Sequence, residues 1–257
     1  MNATAQPAGR HPASGPDYQP VGDLRRLQLE RLKAVLRRAY EGVAPYRRRL
    51  EDRGITPDHV RSLDDIVKLP FLEKNDLRDT YPFGLFASPL EEIVRLHASS
   101  GTTGKPIVVA YTREDLDVWT SVMVRSMLAC GLHAGDIIQN AYGYGLFTGG
   151  LGAHYGAEAL GATVIPASGG NTDRQIMMLK DFGVTAICST PSYFLHLAER
   201  AQELGTPLRS LRLRAGVFGA EPWTDRLRQR IQDETGIRAY DIYGLSEIVG
   251  PGVGIEC

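Results

Sequence analysis

Near the amino terminus the hydrophobic positions are spaced for a helix, and beyond residue 70 they come in short clusters between longer amphipathic stretches. Leu29, Leu32, Leu36, Ala39, Val43, Tyr46 and Leu50 recur at steps of three and four, the spacing of one helical stripe. Pro45 interrupts it. Proline removes a donor and restricts its predecessor, so the pattern predicts two helices meeting near Ala44. Beyond Pro70, apolar runs predict strands at Ile93–His97, Ile107–Tyr111, Asp136–Ala141, Ala162–Pro166, Thr185–Ser189, Arg214–Phe218 and Ala239–Tyr243. The intervening segments predict helices at Arg113–Leu132, Leu151–Leu160, Thr172–Phe182, Pro191–Leu204 and Thr224–Thr235. Gly161, Gly183, Gly205 and Gly236 stand where helices stop, and Thr224 stands where one is capped. Alternation of this kind predicts an α/β fold with a mixed, largely parallel sheet covered by helices, and ligands at the carboxyl ends of its strands.

Residues 1–20 hold four prolines, two glycines and almost no large apolar side chain, and are expected to be a disordered tail. Residues 21–92 are expected to form a helical segment packing on a main α/β region, 93–257. Composition narrows the function classes. With 43% hydrophobic and 23% charged residues the chain is ordinary globular material. A net charge of −1 recruits neither nucleic acid nor an anionic membrane. Ten Lys/Arg against five Asp/Glu in 21–53 fit a solvated helix face better than a nucleic-acid or lipid arm. No uncharged apolar run approaches the ~18 residues of a membrane span. No basic-then-apolar signal stands at the start, and three cysteines (Cys130, Cys188, Cys257) without C-x-x-C spacing argue against a disulfide scaffold or zinc site. A reducing cytoplasm fits best. Cys130 and Cys188 lie in apolar surroundings, and His154 is a lone histidine on a predicted helix, read as a surface or core residue.

The first chemistry-bearing stretch follows Ile93–His97: Ser99, Ser100, Gly101, Thr102, Thr103, Gly104, Lys105 and Pro106. Hydroxyls, accessible backbone amides and one cation are equipment for cradling a polyphosphate. A hairpin turn would use the same residue types. A Walker A loop is excluded: two residues rather than four separate the glycines, proline follows the lysine, and a strand rather than a helix comes next. Two later strands end in Gly219-Ala220-Glu221-Pro222 and in Asp241-Ile242-Tyr243-Gly244-Leu245-Ser246-Glu247. Small residues allow backbone approach to a flat ligand, Tyr243 offers a stacking surface, and Ser246 with Glu247 can address a phosphate and its cation. Tyr243 as a core aromatic and Glu247 as a surface carboxylate are the plainer readings.

Taken together and in this order, S-S-G-T-T-G-K-P, G-A-E-P and Y-G-L-S-E resemble the nucleotide motifs of the acyl-adenylate-forming (AMP-binding) superfamily. The wording from Tyr240 to Glu247, with Gly250-Pro251-Gly252-Val253 after it, looks like the phenylacetate–coenzyme A ligase branch. So do Asn140 to Gly150 (N-A-Y-G-Y-G-L-F-T-G-G), Pro45-Tyr46-Arg47-Arg48 and Leu69-Pro70-Phe71.

The resemblance implies that a carboxylate attacks the α-phosphate of ATP and that coenzyme A then displaces AMP to give a thioester. Ser99 through Lys105 would hold the β- and γ-phosphates. Gly219, Ala220, Glu221 and Pro222, with Asp241, Ile242 and Tyr243, would line the adenine. Ser246 would touch the α-phosphate, and Glu247 would bind Mg²⁺; Lys105, Ser246 and Glu247 are the implied catalytic set. Tyr142, Tyr144 and Phe147 would wall an aryl-acid pocket in which Gly149 and Gly150 leave space, although Tyr142 and Tyr144 could equally be core packing at a strand end. The implied partners are the aryl acid, ATP and coenzyme A, without nucleic acid or membrane; a homodimer stays open. Family members continue well past Cys257 with a ribose-binding aspartate, a hinge and a lysine-bearing lobe. The alternatives are a ligase for another aryl acid, an acyl-adenylating enzyme with another acceptor, or a non-catalytic nucleotide-binding remnant.

Overall fold

The structure is a computed structural model that describes residues 11–99 and 105–256. It divides into two compact units, Met1–Arg113 and Glu114–Cys257.

In the first unit a 3₁₀ helix over Pro12–Tyr18, none of it buried, precedes α1 (Val21–Gly42) and α2 (Ala44–Glu51). The helices break at Val43 because Pro45 occupies the first turn of α2, where its missing donor costs nothing. The predicted stripe becomes this unit's small core. Leu36, Leu50 and Val60 are buried, with Leu29, Leu32, Tyr40, Tyr46, Ile55 and Leu69 around them. The extended segment after Leu69 is tied to α2 by main-chain acceptors: Tyr46 Oη donates to the Pro70 carbonyl at 3.3 Å and Arg49 Nη1 to that of Phe71 at 2.8 Å. Arg49 also pairs with Asp76 on the short helix α3 (Lys74–Asp79), which the apolar pattern does not predict. Strands β1 (Arg95–Ala98) and β2 (Val108–Tyr111) then form an antiparallel hairpin.

The second unit holds α4 (Arg113–Ala129) from its second residue on and carries a six-stranded sheet. Its strands are β3 (Ile137–Asn140), β4 (Thr163–Ile165), β5 (Ala186–Ser189), β6 (Ala215–Phe218), β7 (Arg238–Leu245) and β8 (Gly250–Ile255). Connecting them are α5 (Thr148–Leu160), α6 (Thr172–Asp181), α7 (Pro191–Glu203) and α8 (Asp225–Thr235). The order is β4-β3-β5-β6-β7-β8, parallel except where β8 runs antiparallel to β7. This is the mixed, largely parallel sheet expected. Every predicted strand and helix is present with ends moved by a few residues, whereas β8 was not predicted. Thr224 caps α8 by accepting from the Leu227 amide, and the four stop glycines have φ of 63–83°, left-handed values that suit glycine.

Strands β5 and β6 are buried along their whole length, which is why they read as continuous apolar runs. Ile187, Phe194, Leu197, Phe218 and Ile231 centre the core, with the Phe194 and Phe218 rings 5.0 Å apart. Each such side chain contributes about 1.5–3 kcal/mol on burial. At the amino ends of the strands Asp136 acts as a pin. It accepts from Thr185 Oγ1 at 2.7 Å, the His133 amide at 2.8 Å and Arg214 Nη2 at 2.6 Å. These residues precede β3, β5 and β6, so one carboxylate ties three adjacent strands. Burial alone would raise its pKa; the Thr185, His133 and Arg214 interactions outweigh that and hold it below the ordinary carboxyl value.

Candidate active site

The chain leaves β3 for β4 on one side and returns to β5 on the other, so the connections diverge at the carboxyl ends of β3 and β5. In open α/β sheets such a switch point leaves a crevice for ligands. The loops after β3, β6 and β7 carry the predicted motifs to this end of the sheet.

Asn140, at the end of β3, organises the first loop and is fully buried. Its Nδ2 donates to the Gly150 carbonyl at 2.7 Å and to Tyr144 Oη at 2.8 Å, while its Oδ1 accepts from the Tyr142 amide at 3.3 Å. One amide therefore fixes both ends of the 141–150 loop. Tyr144 Oη continues to His154 Nδ1 at 3.1 Å, and His154 Nε2 lies 3.2 Å from Glu158 Oε1. Burial pushes the Tyr144 phenol up to about 12. Phe147 is 56% exposed at the residue before α5, free of the core.

The Tyr142 hydroxyl is enclosed and, among the described residues, has no hydrogen-bond partner. Burial drives its pKa well up, and the nearby Cys188, Asp241 and Glu221 add to the rise. The Gly219 backbone lies close enough to offset part of it, short of a hydrogen bond of normal geometry. Tyr142, Gly219, Glu221 and Asp241, drawn from three separate motifs, are thus brought to one place. Cys188, at the end of β5, is a core thiol as expected, and burial pushes it up to about 12.

The G-A-E-P turn is held from below. Gly219 is buried because the Ile242 carbonyl of β7 occupies the space a Cβ would need. Ile242 is buried there too, so it supports Gly219 and does not open to solvent. Ala220 is exposed with φ 69°. Glu221 accepts from the Ser192 amide at 2.7 Å, putting its charge on the first turn of α7, where the helix dipole favours an anion. Trp223 follows, under the Arg228 guanidinium at 4.5 Å and edge-on to Phe218. Arg228 also binds the Ala239 carbonyl at 2.8 Å and pairs with Glu256. Glu256 in turn accepts from the Asp241 amide at 3.1 Å. Together these bonds clamp the start of β7 to the end of β8.

Tyr243 is 57% exposed, which removes the core-aromatic reading and leaves its ring available for stacking. Gly244 is required because the Gly250 carbonyl of β8 sits where its Cβ would be. Trp119 Nε1 donates to the Pro251 carbonyl at 3.0 Å and Ser126 Oγ to that of Gly252 at 3.2 Å, so α4 holds β8 in place. Ser246 and Glu247 stand on a 3₁₀ turn directly after β7. Glu247 is exposed and has no ion pair among the described residues. No group of three or more metal-ligating side chains occurs among them either.

In the first unit, Ser99 follows β1 and Lys105 precedes β2. Ser99 bonds to Ile107: its amide donates to the Ile107 carbonyl at 2.9 Å and its Oγ accepts from the Ile107 amide at 3.0 Å. Lys105 is exposed, its ammonium 5.6 Å from the Tyr81 ring centre. Ser100, Gly101, Thr102, Thr103 and Gly104 lie outside the described residues. Gly149 faces the Tyr142 ring at ordinary contact distance. At Gly150 the expected space for a substrate is already taken, by the Gly143 carbonyl. Sequence reasoning did not single out Asn140 on its own, nor Trp119, Arg228 or Glu256. The only signal was a polar residue closing an apolar strand run at Asn140.

A profile of the AMP-binding enzymes matches residues 55–255. Phenylacetate–coenzyme A ligases from Pseudomonas putida and Escherichia coli (strain K12) are 56% identical over 237 residues and 55% identical over 238 residues. Each alignment covers 92% of this chain and 54% of the relative. The chain thus spans about half the length of the curated relatives it matches. A crystal structure of 2-hydroxyisobutyryl-CoA ligase with 2-HIB-AMP and CoA in the thioesterification state superposes with a TM-score of 0.85 at 32% identity, over 89% of this chain and 50% of that one. An open conformation of the same ligase gives 0.83 at 30% identity, over 89% and 51%.

Proposed function

The chain belongs to the AMP-binding enzymes, and from that premise we propose that it is part of a cytoplasmic ligase that activates a phenylacetate-like acid with ATP and passes the acyl group to coenzyme A. The observation that carries the reading is the convergence at Tyr142. The pairing of Asn140 with Cys188, Ser189 with Phe218 and Phe218 with Asp241 brings the aromatic loop, the G-A-E-P turn and Asp241 to the carboxyl edge of one sheet, where an acid and a nucleotide would have to meet to react. The 53–56% identity to phenylacetate–coenzyme A ligases over nearly the whole chain supports the acid class and the acceptor.

On this reading Tyr142, Tyr144 and Phe147 wall the acid, and Tyr243 stacks on adenine beside Gly219, Ala220 and Pro222. Glu221 and Ile242 serve that surface indirectly, one by anchoring the turn to α7 and the other by supporting Gly219. Ser246 meets the α-phosphate. Ser99 to Lys105 supplies hydroxyls, amides and one ammonium to the outer phosphates, and phosphoryl chemistry is catalysed largely by such positioning and charge neutralisation. Glu247 fits Mg²⁺, since that ion takes one or two carboxylates plus substrate phosphates and this carboxylate is exposed and unpaired. The ion would neutralise phosphate charge there.

The test is direct binding to this chain. Titration calorimetry with phenylacetate, and with a non-hydrolysable phenylacetyl-adenylate analogue, should give saturable binding. Phe147→Ala should weaken the acid by about 1–3 kcal/mol while leaving ATP binding unchanged. Equal affinity of wild type and variant for phenylacetate and for a medium-chain aliphatic acid would remove the aryl pocket from this loop. Failure of the analogue to bind would favour a remnant without this chemistry.

A further inference from the structure

The hydrogen bonds around Asn140 have only one consistent proton arrangement. Its Nδ2 faces the Gly150 carbonyl, which can only accept, and its Oδ1 faces the Tyr142 amide, which can only donate; turning the amide over would oppose like partners at both. Nδ2 therefore donates to Tyr144 Oη as well. The Tyr144 hydroxyl, whose own proton Asn140 does not engage, lies 3.1 Å from His154 Nδ1. Nε2 faces Glu158 Oε1 at 3.2 Å, and a carboxylate only accepts, so the neutral ring carries its proton on Nε2 and accepts at Nδ1. The sequence Asn140 to Tyr144 to His154 to Glu158 is a chain of donors running one way, from the buried end of β3 to a carboxylate on the outer face of α5.

We propose that His154, as the neutral Nε2–H tautomer, is the positioning residue for the 141–147 loop. It touches neither reacting atoms nor nucleotide. It holds Tyr144 against Asn140, and Tyr144 stands between Tyr142 and Phe147, the two aromatics assigned to the acid. This role in acid binding rests on the reading given under the proposed function; the tautomer and the ordering of the loop do not. The alternative for a histidine on a helix, a ring that merely fills space, requires no particular tautomer and no particular partner for Tyr144.

Nitrogen-15 NMR of the imidazoles in the wild-type chain at pH 8 decides the tautomer: an unprotonated Nδ1 and a protonated Nε2 on His154 are expected, and a protonated Nδ1 overturns the proposal. Amide hydrogen exchange then reads the loop. In His154→Phe, which keeps a flat ring and loses both nitrogens, residues 142–147 should exchange about tenfold faster or more, the scale of one lost hydrogen bond, while β5 and β6 stay protected. His154→Asn, whose Oδ1 can take the Tyr144 proton, should restore most of that protection. Equal exchange in all three proteins, or an Asn variant no better than Phe, overturns the positioning role. Phenylacetate affinity should fall about tenfold in the Phe variant with ATP affinity unchanged. If the wild-type chain binds no phenylacetate while the tautomer and exchange results hold, the acid-site reading fails and the positioning role stands.

Discussion

Adjacent residues of the G-A-E-P turn should respond in opposite directions to the gain and loss of one methyl group. Gly219 ends β6, and an added Cβ would run into the Ile242 carbonyl and come within 2.9 Å of Ile242 Cγ2. The obstacle is the main chain of β7, held in register by the Phe218–Asp241 pairing, and it has no rotamer by which to yield. Overpacking of this kind costs about 1–3 kcal/mol. At the next position the sign reverses. Ala220 sits at φ 69°, where a side chain costs about 1–2 kcal/mol relative to right-handed backbone. Glycine removes that cost and returns about 0.4–1 kcal/mol through the larger entropy of its unfolded state. Ala220→Gly should therefore stabilise by about 0.5–1 kcal/mol. At about 2–4 °C per kcal/mol for a chain of this size, calorimetry should find Gly219→Ala lowered by about 2–12 °C and Ala220→Gly raised by about 1–4 °C. Nucleotide affinity should fall only in the first variant, because only there must the turn separate from β7. A Gly219→Ala protein melting with wild type would show that β7 does not approach so closely. Shifts of the same sign in both variants would refute the backbone assignment of the turn.

Other consequences are simpler. Lys105→Ala should weaken ATP by about tenfold or more and leave adenosine unaffected, since only a charge-assisted phosphate contact is lost; calorimetry with both ligands checks this. Glu247→Gln should remove the Mg²⁺ dependence of ATP binding, and wild-type dependence would take Glu247 out of the site. Asp136→Asn should destabilise by about 1–3 kcal/mol at pH 7. Because the folded carboxyl is held below its ordinary 3.8, the stabilisation is complete above that value and lost as pH falls through the folded one. The wild-type and variant urea midpoints should accordingly converge in acid. Deleting residues 1–20 should move the melting temperature by less than about 1 °C, because the described part, 11–20, buries no side chain.

The helices and parallel strands of the second unit could be read from the sequence because burial on both faces leaves a strand as a plain apolar run, bounded by capping residues and stop glycines. Strand β8 could not. Gly250, Pro251, Gly252, Val253 and Gly254 alternate nothing and are extended only because β7 pairs with them while Trp119 and Ser126 hold their carbonyls. Trp119 and Ser126 lie more than a hundred residues away in sequence, beyond any local pattern. His154 reads as a plain surface or core residue for a similar reason. A lone histidine on a helix carries no signal until Tyr144, ten positions earlier, folds back to meet it.

The motif glycines expose a deeper limit, since a glycine that makes room for a ligand and one that makes room for the protein's own backbone look alike in sequence. Gly150, Gly219 and Gly244 are each filled by a carbonyl, of Gly143, Ile242 and Gly250 in turn. Their purpose is to bring loop to helix and strand to strand. Gly143 and Gly145 are different: a Cβ on either would meet nothing within 4 Å. The open space beside this loop's backbone is therefore at Gly143 and Gly145, and not at Gly150, whose place is taken by the Gly143 carbonyl. Glycines on both flanks of Tyr144 also leave the loop little packing beyond that of its tyrosines. That is why its shape depends on a single buried amide at Asn140 and on the hydrogen-bond chain leading out to α5.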